Sequence, residues 1–243
     1  MTFFSKKHTI VSCSLCISLL SSVVVAKSFD PLSLNEISKV TSLALPQALN
    51  SNSLNSDGIR AISGPQLRTA SAPTHNTNSG AAPKTEVLLI ERHEEEKNAP
   101  KDLRRADIFT YDYSTNELIS SIVDLNTQQV VSTTRKKGIQ LPLTENEIKR
   151  AKEIVFNDED ERQILAYEYQ RITSRIMTDT TELNIKAFTF TADSLPNRTN
   201  EASKLCGNHR CAQLMLYTGE NIVFEISPIV NLSEGIVTQR IGF

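Results

Sequence analysis

Two cysteines are the side chains of this sequence with the clearest potential for chemistry. They enclose a short segment, CGNHRC, that runs from Cys206 to Cys211. Such a pair can form a reactive dithiol, hold a metal ion or close a structural disulfide. The spacing is wider than the Cys-x-x-Cys of redox enzymes, and His209 adds one ligand where tetrahedral zinc takes four in all. We therefore predict a structural disulfide between Cys206 and Cys211, with a redox-active pair and a metal site as the alternatives.

Carboxylate runs and histidines are the other groups that could bind a metal ion or carry out catalysis. The acidic runs at residues 94–96 and 158–161 lack the spaced oxygen ligands and the glycine of a calcium loop, so we predict two solvated faces. The three histidines after residue 26 lie more than a dozen positions apart: His75, His93, His209. No Walker or dinucleotide-type glycine loop occurs. We predict no catalytic residue, no metal ligand and no cofactor.

The charge of the chain gives no indication of a polyanionic partner. The 243 residues carry a formal net charge of −2. A chain this close to neutral has no global attraction to nucleic acid, and we expect no nucleic acid partner. Two basic clusters, Arg104-Arg105 and Arg135-Lys136-Lys137, flank the first group of strands described below, and we predict that they are solvated strand ends.

The first 26 residues have the layout of a secretory signal peptide. Lys6 and Lys7 precede a mostly apolar run over residues 10–25, and Ala26 supplies a small residue at its end. The run is shorter than the ~20 residues that a membrane-spanning helix needs. We predict a cleaved signal peptide over residues 1–26 and a periplasmic or secreted protein with no membrane span after cleavage. Disulfides persist in such compartments.

The elements that would position these side chains fall into a first and a second unit. In the first, the capping box Ser33-x-x-Glu36 predicts a helix within residues 27–45. Residues 46–84 are rich in Pro, Ser and Asn and lack aromatic residues, a composition that is typical of a flexible linker. Alternating patterns with short turns then predict an antiparallel sheet within residues 85–138.

Aromatic residues at strand spacing mark the predicted core of that sheet. Phe109, Tyr111 and Tyr113 fall on one face of a strand over residues 106–113, because side chains alternate between the two faces of a strand. A row of this kind can stack a ligand, but it more commonly faces the core. We predict a core face.

The second unit, residues 139–243, repeats the first. Residues 31–39 align with residues 142–150 at an offset of 111, and both segments carry a capping box. Residues 123–127 align with residues 230–234 at an offset of 107. We therefore predict an α+β fold of two similar units, each with a helix packed on a curved antiparallel sheet.

Three segments of the sequence resemble the N-terminal domains of copper amine oxidases. They are DPLSLNEI from Asp30, RRADIFTYDYSTNELISSIVDLNTQQVVS from Arg104 and LPLTENEIKRAKEIV from Leu141. In that family two small cystatin-like domains precede a large catalytic domain, so the resemblance implies two cystatin-like units. The linker and the CGNHRC segment depart from the family pattern.

The resemblance carries over no catalytic residue. The family uses a Tyr within Asn-Tyr-Asp/Glu, which becomes the quinone cofactor, and three His that bind copper. No tyrosine here follows an asparagine, and we expect the chain to lack the catalytic domain. We predict a non-catalytic binding or interaction module whose partner is another envelope or secreted protein. The alternatives are an accessory subunit of a copper amine oxidase and a thiol-redox protein that uses Cys206 and Cys211.

Overall fold

The computed structural model describes residues 30–50, with side chains through residue 45, together with residues 84–100 and 102–242. The predicted signal peptide and most of the predicted linker lie outside these residues. The described elements, in chain order, are α1 (Leu34–Asn50), β1 (Thr85–Arg92), β2 (Arg105–Asp112), β3 (Glu117–Asp124), β4 (Gln129–Lys136), α2 (Glu145–Asn157), α3 (Glu159–Thr173), β5 (Leu183–Thr189), β6 (Cys211–Thr218), β7 (Ile226–Asn231) and β8 (Ile236–Gly242).

The first unit consists of α1 on a four-stranded antiparallel sheet in the order β1-β2-β3-β4. Its core lies between the helix and one face of the sheet. Val40 and Ala44 on the helix pack with residues of the two central strands, Ala106, Ile108 and Val123. These side chains recur every fourth residue on α1 and every second residue on β2, as the two periodicities require.

Helix α1 begins where the capping box predicts and ends later than predicted. The Ser33 N–H donates to Glu36 Oε2 at 2.8 Å, and the Glu36 N–H donates back to Ser33 Oγ at 3.3 Å. We expected the helix to end at residue 45, before Pro46, but it continues to Asn50. Gln47 and the next two residues, Ala and Leu, are good helix formers, which favours this extension at the expense of the predicted linker.

The second unit places α2 on a sheet in the order β5-β6-β7-β8, and α3 follows α2 directly. Thr144 and Glu147 form the predicted capping box at the start of α2. Asp158 ends α2 and also caps α3, because its side chain accepts from the Glu161 N–H at 3.0 Å. Within the described residues each unit therefore has its helices on one four-stranded sheet, which confirms the predicted α+β fold.

The last three residues of strand β2 are buried, so the strand is covered on both faces at its C-terminal end. Ala106 and Ile108 face α1, whereas Tyr111 and Tyr113 belong to the apolar core of the second unit. The predicted aromatic core face is therefore a contact between the units, with Phe109 only half-buried. A central strand covered on both sides holds the two units together through its own side chains. Across the described ranges, no helix is long and apolar enough to cross a membrane.

Candidate functional site

The predicted cysteine pair lies at disulfide distance just before β6. The Cα atoms of Cys206 and Cys211 are 5.5 Å apart, within the usual range for a disulfide. The two residues are 3% and 0% exposed and pack in a small apolar cluster with Phe190, Ile229 on β7 and Ile241 on β8. This burial removes the sulfur atoms from solvent and from other thiols.

The loop closed by the cysteines presents backbone carbonyls to its neighbours. Gln140 Nε2 donates to Gly207 O at 2.8 Å, and Tyr111 Oη donates to Asn208 O at 3.3 Å. Gly207 has a φ of 109°, a conformation that favours glycine. The His209 ring contacts the side chain of Asn231 at 3.1 Å. The loop therefore joins the start of the second unit to sheet β1–β4 of the first.

Arg210, inside the disulfide loop, is the most heavily bonded side chain of the region. It is fully buried and donates to both carboxylate oxygens of Glu147, at 2.7 Å from Nε and 2.9 Å from Nη2. It also donates to the carbonyls of Leu141 and Pro142 and to the side-chain oxygen of Gln140. Because the Glu147 carboxylate also closes the capping box, this arginine fixes the start of α2.

The first unit contains the same arrangement at Arg104. Its Nε donates to Glu36 Oε1 at 2.9 Å and its Nη2 to Glu36 Oε2 at 3.0 Å. The remaining donors reach the carbonyls of Asp30 and Pro31, which precede α1 as Leu141 and Pro142 precede α2. We call each set, an arginine before a strand with the glutamate of a capping box, an arginine clamp. The clamps show that the sequence repeat is also a structural repeat.

The clamps lower the pKa values of their glutamates. Hydrogen bonding from Arg104 lowers the pKa of Glu36 to about 2. For Glu147, burial opposes ionisation, but the hydrogen bonds and the charge of Arg210 outweigh it and lower the pKa. Both carboxylates are therefore ionised at neutral pH and paired with a guanidinium.

A buried polar network connects the two units beside the second clamp. Tyr113 Oη donates to Glu147 Oε1 at 2.8 Å and accepts from Arg150 Nη2 at 2.6 Å. Arg150 Nη1 donates to Glu86 Oε2 at 3.1 Å, and Thr144 Oγ1 donates to Glu86 Oε1 at 2.7 Å. Glu86 on β1 and Tyr113, which follows β2, are thereby hydrogen-bonded to the N-cap and the first turns of α2.

This network has the chemistry of a structural contact. Burial, followed by the charge of Glu147, raises the pKa of Tyr113 far above its ordinary value. A phenol held neutral and enclosed by ion pairs does not exchange its proton readily with a substrate in solution. The described groups are positioned to hold the units together.

The other candidate metal-binding or catalytic groups lie apart from this region. His93 contacts Asp107 at 3.0 Å, and Glu95 in the first acidic run pairs with Arg105. In the second acidic run, residues 158–161, Asp158 caps α3, and Glu159 and Glu161 pair with arginines. Over residues 30–50, 84–100 and 102–242, no group of three or more metal-binding side chains is assembled. His75 lies outside the described residues.

Sequence reasoning missed the arginines of both clamps. Arg104 was predicted to lie at a solvated strand end, but it is only 5% exposed, because its charge is paired with Glu36. A signal for the clamps is present in the sequence. Arg104 and Arg210 each stand two positions before an alanine that is 0% exposed, Ala106 and Ala212, at an offset of 106 that matches the repeat.

Comparison with known proteins shows similarity at the level of the fold. No protein-family model matches the sequence, and no curated protein matches it. A solved structure of a copper-containing benzylamine oxidase from Hansenula polymorpha superposes with a TM-score of 0.53 at 10% sequence identity. The match covers 90% of this chain and 30% of that one. The chain therefore has a copper amine oxidase-like fold and spans about a third of the length of the oxidase.

Proposed function

We propose that this protein is a non-catalytic binding or interaction module that works in the periplasm or outside the cell. In this proposal its two units correspond to the N-terminal domains of copper amine oxidases, and its partner is another envelope or secreted protein. The predicted signal layout and the buried cysteine pair support the compartment. The superposition on the benzylamine oxidase supports the fold class on which the correspondence depends.

The observation that carries the proposal is the open outer strands of the two sheets. Among the described residues each sheet is an open four-stranded arrangement, in which β1, β4, β5 and β8 each pair on one side only. Strand β4 is the most accessible, since six of its eight residues are exposed and Val131 is 50% exposed. Outer strands offer unpaired backbone groups to another chain, and proteins use them for recognition by strand addition.

Affinity capture from the native envelope tests the proposal. The purified protein with an affinity tag is incubated with envelope extract, and bound proteins are identified by mass spectrometry. We expect a stoichiometric partner that survives washing at moderate salt and is absent with a tagged protein of similar charge. Metal analysis of the purified protein should find less than one equivalent of copper. Stoichiometric copper, or amine oxidation by the purified chain alone, contradicts a non-catalytic role.

A second candidate function is that of an accessory subunit of an amine oxidase. The superposition on an oxidase structure favours it over other envelope roles. In this case the captured partner carries the copper and oxidises amines, and this chain contributes no residue to that reaction. The thiol-redox alternative has less support, because the cysteines are 3% and 0% exposed, whereas redox-active cysteines need access to a partner thiol.

A further inference from the structure

A groove in the second unit lies between helix α2 and the outer strand β5. Its volume is about 310 Å³, and we call it the α2–β5 groove. On the helix side it is lined by Glu145, Ile148, Lys149 and Lys152, which form one stripe because residues three and four apart share a helix face. On the strand side it is lined by residues 183–185. The adjoining face of α2 is buried in the core and includes Ala151, Ile154 and Val155.

The strand that borders the groove has free backbone groups. The Phe190 N–H donates to Cys211 O at 3.0 Å, next to the pair Thr189 and Ala212. Phe190 and Cys211 therefore form a hydrogen-bonded pair. Bonded and non-bonded pairs alternate along antiparallel strands, so every odd-numbered residue of β5 is in a non-bonded pair. The N–H and C=O groups of Ile185 and Ala187 consequently point away from β6. Within the described part of the chain, no backbone hydrogen bond outside the strand pairing reaches either residue.

The rim of the groove carries a net positive charge, because Lys149 and Lys152 stand against the one carboxylate of Glu145, and Lys152 Nζ lies 5.5 Å from the centre of the Phe156 ring. Lys149 is exposed and Lys152 is half-buried, and neither forms an ion pair with a described residue. Ile148 and Ile185 between helix and strand are half-buried, and they give the groove an apolar floor. An apolar floor beside an open strand and a cationic rim is complementary to an extended chain that carries both apolar and acidic side chains on the one face turned toward α2.

We propose that the α2–β5 groove binds an acidic, extended peptide segment of a partner protein by strand addition to β5. Backbone hydrogen bonds form with Ile185 and Ala187, apolar side chains lie on Ile148 and Ile185, and carboxylates pair with Lys149 and Lys152. This inference rests on the proposed function as a binding module and names the surface and the chemistry of its partner.

Fluorescence anisotropy with the purified protein tests the groove. The probe is a labelled peptide of about ten residues, the length of a long strand, with serine at every second position and with valine and glutamate in turn at the positions between, so that both types share one face. Two comparison peptides replace glutamate with lysine or methylate the backbone nitrogen of every second residue. We expect the acidic peptide to bind roughly tenfold or more tightly than either comparison peptide, because each removes one mode of contact. Equal binding of the three peptides, or no binding of the acidic one, overturns the proposal.

Charge-reversal variants locate the binding site. The double variant Lys149→Glu and Lys152→Glu should weaken binding of the acidic peptide by roughly tenfold or more. The matched control, Lys97→Glu and Lys137→Glu, changes the net charge equally at exposed positions of the first unit that lie outside its outer strands, and it should bind normally. Equal effects of the two variants overturn the groove assignment. If the envelope partner is captured equally by wild type and the groove variant, the groove proposal fails while the interaction function stands.

Discussion

Arg104 and Arg210 stand 106 residues apart and anchor the starts of two different helices with the same set of hydrogen bonds. Each arginine pairs with the glutamate of a capping box and with two carbonyls of the segment before the helix. Because the same contacts occur twice, the start of each helix and the arginine before the corresponding strand, β2 or β6, are held together as one repeated motif. It also allows the two clamps to be compared within one molecule.

The two clamps should differ in their contribution to stability. Arg210 and Glu147 both have side chains that are 0% exposed, whereas Glu36 is 19% exposed. Arg210→Ala leaves a buried carboxylate unpaired and should lower the free energy of unfolding by about 3–5 kcal/mol. Arg104→Ala leaves Glu36 within reach of water and should cost about 2 kcal/mol. Urea denaturation monitored by circular dichroism measures both.

A surface ion pair provides the control for this comparison. Lys204 pairs with Glu201 at 2.6 Å, but both side chains are largely exposed. Lys204→Ala should therefore change the free energy of unfolding by less than about 1 kcal/mol. Equal losses for Arg104→Ala and Arg210→Ala contradict the argument from burial.

The clamps also predict that the protein loses stability in acid. Glu36 has a pKa of about 2 in the folded chain and an ordinary value of 4.5, and the pKa of Glu147 is lowered as well. A depressed folded-state pKa gives stability that is present above the ordinary value and lost as the pH falls toward the folded value. Melting temperatures should therefore fall between about pH 5 and pH 2. Glu36→Gln should reduce this dependence on pH.

The control for the acid effect is a carboxyl group with the opposite shift. Burial raises the pKa of Glu161, so its ionisation opposes folding as the pH rises. The Glu161→Gln variant should therefore still lose stability at low pH, as wild type does. A Glu36→Gln variant that follows the wild-type curve at every pH contradicts the assignment.

The local chemistry of the sequence predicts much of this fold. Both capping boxes begin helices where Ser33 and Thr144 stand, because a cap is satisfied within four residues and needs no distant partner. The strands follow from alternation, and the two-unit α+β fold follows from the offset of the repeat. The error at the end of α1 arises because residues 46–50 were assigned to the linker by composition, while Gln47 and the two residues after it favour a helix.

The clamps and the network between the units lie beyond that reasoning. Glu36 and Arg104 are 68 residues apart, and Glu86 and Arg150 are 64 apart. A charged residue is read from sequence as exposed, and only the packing of distant segments shows that its charge is paired. The Arg-x-Ala match at Arg104 and Arg210 is detectable once the repeat is known, but it does not identify the glutamate partner.

The disulfide should be stable and structural. A loop as short as residues 206–211 contributes about 2 kcal/mol to stability by the chain-entropy model. The double variant Cys206→Ser and Cys211→Ser should therefore lower the free energy of unfolding by about that amount. Intact mass spectrometry should detect the bridged form after incubation with dithiothreitol in buffer and the reduced form only when urea is added. Rapid opening in a glutathione buffer contradicts a structural role.

Tyr113 should couple the two units through its hydroxyl. That hydroxyl lies 2.8 Å from Glu147 Oε1 and 2.6 Å from Arg150 Nη2, so Tyr113→Phe leaves buried charged groups short of a partner. We expect a loss of about 1–3 kcal/mol in the free energy of unfolding. Tyr111→Phe is the comparison, because its hydroxyl lies 3.3 Å from Asn208 O and 3.4 Å from Asn116, farther than the two Tyr113 contacts above, although it also contacts the side chains of Ser233 and Gln140. The stability cost of Tyr111→Phe should be below about 1 kcal/mol.

The dependence of unfolding on urea distinguishes coupling between the units from a local effect. If the network joins the units, wild type unfolds in one transition. Tyr113→Phe then lowers the urea midpoint of that transition or divides it into two transitions. Tyr111→Phe leaves a single transition near the wild-type midpoint. A Tyr113→Phe variant as stable as Tyr111→Phe would show that the Tyr113 hydroxyl does not help to join the units.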